Sequence, residues 1–166
     1  MIRVSILTVS DRSFAGERED LSGPALAAAV EKLGWQVVNR GLVPDEKEQI
    51  KDMMLKHIVS KDVNLILTTG GTGFAPRDNT PEATLSVIEK KASGLVELIR
   101  SESAKINNNA YLSRAEAGIC GKTLIINLPG SPKGAVESLM IVASILPHAI
   151  TLLEDQSGDI HQSPAK

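Results

Sequence analysis

The sequence predicts a single α/β domain built on a largely parallel central sheet. Short apolar runs rich in β-branched residues alternate with longer segments of helical spacing, the pattern expected of repeated strand–helix units. Glycine or proline closes most of the short runs, which gives the predicted strands defined ends. The chain is 166 residues long, a length typical of one domain.

Four predicted strands each run into a polar or glycine-containing junction. They cover residues 4–9, 36–43, 63–69 and 122–128. In a parallel sheet the carboxyl ends of the strands lie at one edge, and ligands bind there. The junctions after these strands are therefore the places where functional residues are expected.

Helical spacing is found between and after the strands. It covers residues 22–33, 46–59, 81–91, 95–105 and 133–153. Gly34 is expected to end the first helix, Thr80 to cap the third, and Pro147 to kink or split the last. Residues 1–155 are expected to form the domain, and the polar residues 156–166 a flexible tail.

Composition excludes several classes of function. The formal net charge is −2, from 18 basic and 20 acidic residues, so no basic surface for nucleic acid or an anionic membrane is expected. The single cysteine, Cys120, excludes a disulfide framework and a cysteine-built zinc site. No apolar run approaches the roughly 18 residues of a membrane helix, and no signal peptide is recognised, so the expected location is the cytoplasm.

Two glycine-containing junctions indicate a phosphate-bearing ligand. Residues 68–81 read TTGGTGFAPRDNTP, and residues 127–133 read NLPGSPK. Glycine lets the backbone turn with positive φ and approach a ligand, and N–H groups in such turns and at helix N-termini bind anions. Tight turns without a ligand are the alternative. Two such junctions with acids beside them favour a ligand that carries more than one phosphate.

The familiar nucleotide-binding motifs are absent. No G-x-G-x-x-G follows the first predicted strand, so a dinucleotide fingerprint is not supported. A partial match to the end of a P-loop motif occurs at Gly121, Lys122 and Thr123. However, Glu116 stands where the first glycine is required, and the segment precedes a strand instead of opening a helix.

Three aspartates are expected at the same edge of the sheet. Asp11 follows the first strand, Asp45 the second, and Asp78 the glycine-rich junction. Two carboxylates that converge beside phosphates would hold Mg²⁺, which prefers one or two carboxylates together with substrate phosphates and water. Asp20 and Glu46 are interpreted instead as solvated loop or helix-cap residues.

Long motifs in this chain resemble the molybdopterin adenylyltransferase family of the MogA/MoaB type. Residues 68–84 read TTGGTGFAPRDNTPEAT and residues 112–137 read LSRAEAGICGKTLIINLPGSPKGAVE. The start, ILTVSDRSFAGEREDLSGPAL, also fits the family, so the resemblance extends to about Leu153. It implies a three-layer α/β/α domain that assembles as a homo-oligomer, a trimer more readily than a hexamer.

The resemblance also implies an enzyme activity. In this family ATP and molybdopterin give adenylyl-molybdopterin and pyrophosphate with Mg²⁺, and the product then goes to a separate molybdate-inserting protein. Two alternatives remain open at this stage. One is a pterin-binding protein of the MoaB type without catalytic activity, against which the presence of both Asp45 and Asp78 argues; the other is a scaffold.

The resemblance assigns site residues position by position. Asp45 and Asp78 match the family's catalytic aspartates, expected to act through Mg²⁺. The residues expected to bind molybdopterin are Ser10, Asp11, Thr72, Gly73, Ser113, Pro129, Gly130 and Ser131, and those expected to bind the nucleotide are Gly41, Pro44, Gly70 and Gly71. Without the family, Ser113 and its neighbour Arg114 are interpreted as surface residues.

Overall fold

The computed structural model describes residues 1–60 and 62–155. The strands are β1 (Arg3–Val9), β2 (Gln36–Val43), β3 (Leu65–Thr69), β4 (Lys90–Lys91), β5 (Ala117–Cys120) and β6 (Thr123–Leu128). The helices are α1 (Asp11–Phe14), α2 (Ser22–Lys32), α3 (Lys47–Val59), α4 (Thr80–Leu85), α5 (Ser93–Ala104), α6 (Pro132–Val142) and α7 (Leu146–Glu154), with a 3-10 helix at Asn108–Leu112. The predicted tail lies outside the described residues.

The six strands form one mixed sheet in the order β2-β1-β3-β6-β5-β4. Neighbours among β2, β1, β3 and β6 are parallel, whereas β5 is antiparallel to β6 and β4 to β5. The mostly parallel α/β fold predicted from the sequence is confirmed. The short antiparallel edge formed by β4 and β5 was not predicted.

Two apolar cores lie on opposite faces of the sheet, which makes the domain three layers thick. Successive strand residues alternate between them, as Ile6 and Leu7 of β1 and Ile125 and Ile126 of β6 show. Helices α2, α5, α6 and α7 cover one face, and α3 and α4 cover the other. The central strands are buried on both sides, which explains why their sequences are continuous apolar runs.

The helix predicted at residues 81–91 is wrong in its second half. Helix α4 ends at Leu85, and Lys90–Lys91 form β4 instead. Glu89 N donates to Ile119 O at 2.7 Å, and Ala92 N donates to Ala117 O at 2.8 Å. Pairing with β5 therefore overrides the local helical spacing. Thr80, predicted as the cap of this helix, is its first residue.

The last predicted helix is split, as expected from Pro147. Helix α6 ends at Val142, and Pro147 lies in the first turn of α7. The two helices are bent by 66° relative to each other. Within residues 1–60 and 62–155, no single helix has both the length and the apolar character needed to cross a membrane; only the bent α6–α7 pair meets that test, by length and composition.

The strand order creates a crevice at one place along the sheet edge. The chain leaves β1 for β2 on one side and later returns to pair β3 on the other side of β1. At such a switch point the connections leave in opposite directions, so the carboxyl ends of the strands border an open space. The functional residues predicted above follow β1, β2, β3 and β6.

Candidate functional site

A cavity of about 630 Å³ opens at this crevice. It contains most of the residues that the sequence assigned to the site: Ser10, Asp11, Asp45, Gly70, Gly71, Asp78, Gly130 and Ser131. Both predicted glycine junctions and both predicted catalytic aspartates therefore share one cavity, although they lie far apart along the chain.

The other assigned residues are not among those that line this cavity. They are Gly41, Pro44, Thr72, Gly73, Ser113 and Pro129. Gly41 lines a smaller cavity of about 320 Å³, which shares Thr8 and Asp20 with the larger one. Contact of these residues with a ligand stays a prediction.

Asp11 and Asp45 face each other because of the register of β1 and β2. Val9 pairs with Val43 in the parallel ladder, so the residues two positions further along each strand meet. Asp11 N donates to Asp45 Oδ2 at 2.8 Å, and Asp45 N donates to Asp11 Oδ1 at 3.0 Å. This exchange fixes both carboxylates relative to the backbone.

Arg77 joins the loop that follows β3 to the segments that follow β1 and β2. Its Nε and Nη2 donate to the Asp11 carboxylate at 2.8 and 2.9 Å, and its Nη1 donates to Glu46 Oε1 at 2.8 Å. The sequence places Arg77 just before a helix N-terminus that could bind phosphate, and it favours a solvated loop or helix-cap role for Glu46. The structure instead pairs them, because acids following β1 and β2 gather around this guanidinium.

The two central acids have opposite pKa shifts. Hydrogen bonding to Arg77 lowers the pKa of Asp11. Burial raises the pKa of Asp45, and the negative charges of Asp11 and Asp78 raise it further. A cation beside Asp45 would counter both causes, since it favours the charged carboxylate.

The two glycine turns pack backbone against backbone. Thr69 pairs with Leu128 where β3 and β6 end, and Gly70 follows one residue later on β3, Gly130 two residues later on β6. A Cβ on Gly130 would lie 3.2 Å from the Cα of Gly70. Gly71 has a φ of +66°, and a Cβ there would collide with Thr80 Oγ1 and lie 2.9 Å from Asp45 Oδ1. These glycines are therefore required for a close approach as well as for turning.

Asp78 is oriented by the loop that carries it. Its Oδ2 accepts from Ala75 N at 3.0 Å, while its own N–H donates to Ala75 O at 2.9 Å. Asn79 Nδ2 donates to Asp45 O at 3.1 Å, which ties this loop to the end of β2. Asp78 and Asp45 thus reach the cavity from two connected segments.

The two serines of the site act locally as helix caps. Ser10 Oγ accepts from Ser13 N at 3.2 Å at the start of α1, and Ser131 Oγ accepts from Gly134 N at 3.1 Å at the start of α6. Both line the cavity. The caps satisfy the N–H groups of Ser13 and Gly134, and the positive end of the α6 dipole beside the cavity favours an anion.

Sequence reasoning missed the role of Asp20. Its carboxylate accepts hydrogen bonds from Thr8 Oγ1 at 2.8 Å and from Gly23 N at 3.0 Å, and it lines the cavity. The bond from Gly23 N fits the helix-cap alternative of the sequence interpretation, whereas a place in the cavity wall was not expected. The available signal was its place three residues before Gly23, the spacing of a side chain that caps a helix.

Ser113 and Arg114 are also closer to the site than their sequence context indicates. Both are half-buried. Arg114 N donates to Thr72 O at 2.8 Å, which places this segment against the glycine loop. The Ser113 hydroxyl accepts from Ala115 N at 3.3 Å. No local sequence pattern predicts the contact of Arg114 with Thr72, because it joins segments about 40 residues apart.

The donor set fits a magnesium ion shared with a substrate better than an ion held by protein alone. Within residues 1–60 and 62–155, no group of three histidine, cysteine or acidic side chains could hold a metal. In the same part of the chain, Oδ1 of Asp45 and Oδ1 of Asp78 have no protein donor. Two such oxygens match the one or two carboxylates that Mg²⁺ takes when phosphates and water complete its shell.

Two further titratable side chains, His57 and Cys120, are not among the residues that line the cavity. His57 is only 6% exposed, and its Nδ1 lies 2.6 Å from Ser5 Oγ. Burial lowers the pKa of His57. Burial and the neighbouring Glu89 raise the pKa of Cys120, which disfavours the reactive thiolate.

The sequence of this chain matches a known protein family. The family model described as "Probable molybdopterin binding domain" matches residues 5–148. The chain belongs to this family. The resemblance stated from the sequence motifs is confirmed.

Similar proteins match across most of this chain. The molybdopterin adenylyltransferase of Helicobacter pylori strain J99 is 41% identical over 154 residues, covering 92% of this chain and 88% of the relative. The molybdenum cofactor synthesis protein cinnamon of Drosophila melanogaster is 42% identical and covers 99% of this chain, but this chain spans only 28% of that relative. The crystal structure of MoaB from Thermus thermophilus has a TM-score of 0.87 at 48% identity, with 92% and 96% of the two chains covered.

Proposed function

We propose that this chain is a molybdopterin adenylyltransferase of molybdenum cofactor biosynthesis. In the reaction, a terminal phosphate oxygen of molybdopterin attacks the α-phosphorus of ATP, the bond to the β-phosphate bridge breaks, and pyrophosphate leaves. Family membership and the named bacterial relatives support the substrates. The observation that carries the proposal is the meeting of two glycine turns and two aspartates in one cavity.

The backbone at the crevice is suited to hold two phosphorylated substrates. The N–H groups of Gly71 and Gly130 and the N-terminus of α6 lie beside the cavity. Such groups bind phosphate oxygens and favour negative charge. Both substrates are anions, so their phosphates repel each other when they are brought into line for reaction. The protein must offset this repulsion and position the two groups.

Asp45 and Asp78 are the residues that would hold Mg²⁺ in this proposal. Bound there, the ion would neutralise charge on phosphate oxygens during nucleotidyl transfer. Asp11 and Arg77 keep Asp45 in place through the reciprocal hydrogen bonds and the ion pair. The Ala75 N–H does the same for Asp78.

Trimeric assembly, a cytoplasmic location and delivery of the product to a separate molybdate-inserting protein belong to the same proposal. They rest on the family resemblance. Light scattering of the purified chain measures the assembly, and transfer of the adenylylated product to the inserting protein measures the delivery.

The test combines binding with turnover. The purified chain is mixed with ATP, MgCl₂ and molybdopterin, and adenylyl-molybdopterin and pyrophosphate are measured over time. We expect both products in equal amounts, and their loss in Asp78→Ala with pterin binding retained. Glu48→Gln, an exposed position on α3 paired only with Lys51 among the described residues, serves as the matched control. Pterin binding without pyrophosphate release in the unmodified chain would overturn the proposal in favour of a non-catalytic pterin-binding protein.

A further inference from the structure

Arg114 makes an unusually complete set of contacts with the loop that carries Asp78. Its Nε donates to Gly73 O at 2.8 Å, and its Nη2 donates to Asp78 O at 2.7 Å. Its Nη1 forms an ion pair with Glu82 in the first turn of α4. The side chain is 35% exposed, so this pairing is shielded from solvent over most of its surface.

The two carbonyls that Arg114 binds lie at the two ends of one loop. Between Gly73 and Asp78 the chain makes a turn closed by the Ala75–Asp78 hydrogen bonds, and Phe74 at its start is 69% exposed. An exposed segment of this kind gains little from packing, while ordering each residue costs about 1–2 kcal/mol. Its conformation therefore depends on the ion pairs of Arg77 within it and on the groups that fix its ends.

A guanidinium is suited to this task in a way that an ammonium is not. Its planar fork presents several N–H donors at fixed angles, so one side chain binds two carbonyls and a carboxylate at once. Glu82 anchors the fork from α4, and the Arg114 backbone anchors it through Thr72 O. The loop is thus held from both sides by one residue outside it.

We propose that Arg114 is a positioning residue for adenylyl transfer, which clamps the loop of residues 73–78 so that the Asp78 carboxylate faces the cavity beside Asp45. This inference rests on the proposed function for its catalytic consequence. It does not rest on it for the structural step, since the clamp is a property of the free protein. Arg114 itself contacts neither substrate in this account.

The chain offers a closely matched control. Arg3 also donates to two carbonyls, Asp62 O at 3.0 Å and Met1 O at 3.2 Å, and forms an ion pair with Glu154 at 3.2 Å. It lies at the amino end of β1, the end away from the cavity. Arg114→Lys and Arg3→Lys therefore remove the same kind of fork while keeping the positive charge, one at the loop and one far from it.

The experiment compares these two variants with the unmodified chain in three measurements. We expect kcat for adenylyl-molybdopterin formation to fall about 10- to 100-fold in Arg114→Lys, as for a catalytic group displaced by about an ångström. KM for ATP and for molybdopterin should stay within about threefold. Arg3→Lys should keep kcat within about threefold, with a thermal unfolding midpoint similar to that of Arg114→Lys.

Amide hydrogen exchange gives a readout that does not need turnover. In Arg114→Lys, we expect the amides of Ala75 and Asp78 to exchange at least tenfold faster, with no such change in Arg3→Lys. Faster loop exchange in a chain that forms no product would contradict the proposed function and leave the clamp standing. Unchanged loop exchange, or equal kcat losses in both variants, would overturn the clamp.

Discussion

Asp11 and Asp45 each accept a hydrogen bond from the backbone N–H of the other, at 2.8 and 3.0 Å. The exchange joins the ends of β1 and β2 at the edge of the cavity. It also uses only one oxygen of the Asp45 carboxylate, and the other remains available to the cavity. This one pair of residues therefore links the ends of the two strands and also orients the Asp45 carboxylate.

Removing the Asp11 side chain should impair activity through Asp45. Asp11→Ala leaves Asp45 N without its acceptor, and it frees Arg77 from its bidentate partner. We expect unfolding free energy to fall by about 1–3 kcal/mol, the cost of a half-buried donor left unpaired, and turnover to fall about tenfold or more. Urea unfolding and product formation measure the two effects.

Glu46→Gln is the control for that variant, because it breaks only the other ion pair of Arg77. Both partners of this pair are about half exposed, and such pairs contribute about 0–1 kcal/mol. If Glu46→Gln lowers turnover as much as Asp11→Ala, the effect comes from Arg77 and not from the Asp11–Asp45 exchange.

Asp78→Asn should separate binding from chemistry. Asparagine keeps the shape and its carbonyl oxygen still accepts from Ala75 N, but the negative charge is lost. We expect turnover to fall at least about 100-fold, in the range seen for removal of one electrostatic group, while molybdopterin affinity changes little. Calorimetry and product formation are compared with Asp52→Asn, an exposed position on α3. Equal losses of affinity and turnover would assign Asp78 to substrate binding alone.

Gly71→Ala should be more damaging than Gly121→Ala, although both glycines have positive φ. Left-handed backbone costs alanine about 1–2 kcal/mol at either site. At Gly121 a Cβ meets nothing within 4 Å, whereas at Gly71 it collides with Thr80 and approaches Asp45. We therefore expect Gly71→Ala to lower the unfolding free energy by about 1–3 kcal/mol more than Gly121→Ala does. Activity should be lost only in Gly71→Ala. Similar unfolding curves for the two variants would show that the turn relaxes freely.

The fold was predictable from the sequence where local and tertiary signals agree. Residues 36–43 were predicted as a strand with the bounds that β2 has, because Gly34 and Pro44 mark its ends. The edge strands β4 and β5 were missed, since each is short and is stabilised only by pairing with the other or with β6.

The site was predictable to the extent that the sheet itself brings residues together. Parallel strands gather the residues after their carboxyl ends, which places Asp45, Gly70 and Gly130 in one cavity. The long-range side-chain contacts of the site were not predictable from the sequence. Arg77 with Asp11, and Arg114 with Gly73, join segments with no sequence relationship, and long side chains reach too far for local patterns to identify their partners.

Ser113→Ala should weaken molybdopterin binding more than ATP binding. The residue follows the 3-10 helix, and its neighbour Arg114 holds it against the glycine loop at Thr72. Its hydroxyl makes one long bond, 3.3 Å from Ala115 N, so little of the fold depends on it. We expect about a tenfold loss of pterin affinity, the worth of one or two hydrogen bonds, measured by calorimetry. An equal loss for both ligands would count against placing the pterin beside Ser113.

Stability should fall as the pH drops below neutrality because His57 is buried uncharged. Burial lowers its pKa from the ordinary 6.5, so below that pH the unfolded chain takes up a proton that the folded chain does not. The loss begins near pH 6.5 and continues down to the lowered folded value, with a slope of at most about 1.4 kcal/mol per pH unit from this group. Urea unfolding between pH 8 and pH 5 measures it.

The double variant Ser5→Ala/His57→Leu removes both members of the buried pair, which leaves no unpaired partner behind. It should lack this slope, while His148→Gln, at an exposed position, should keep it. The lowered pKa values of Asp11, Glu82 and Glu154 also make stability fall with pH, but only from about their ordinary values of 3.8 and 4.5 downward. A slope between pH 6.5 and 5 that survives in the double variant would therefore have to come from a group other than His57.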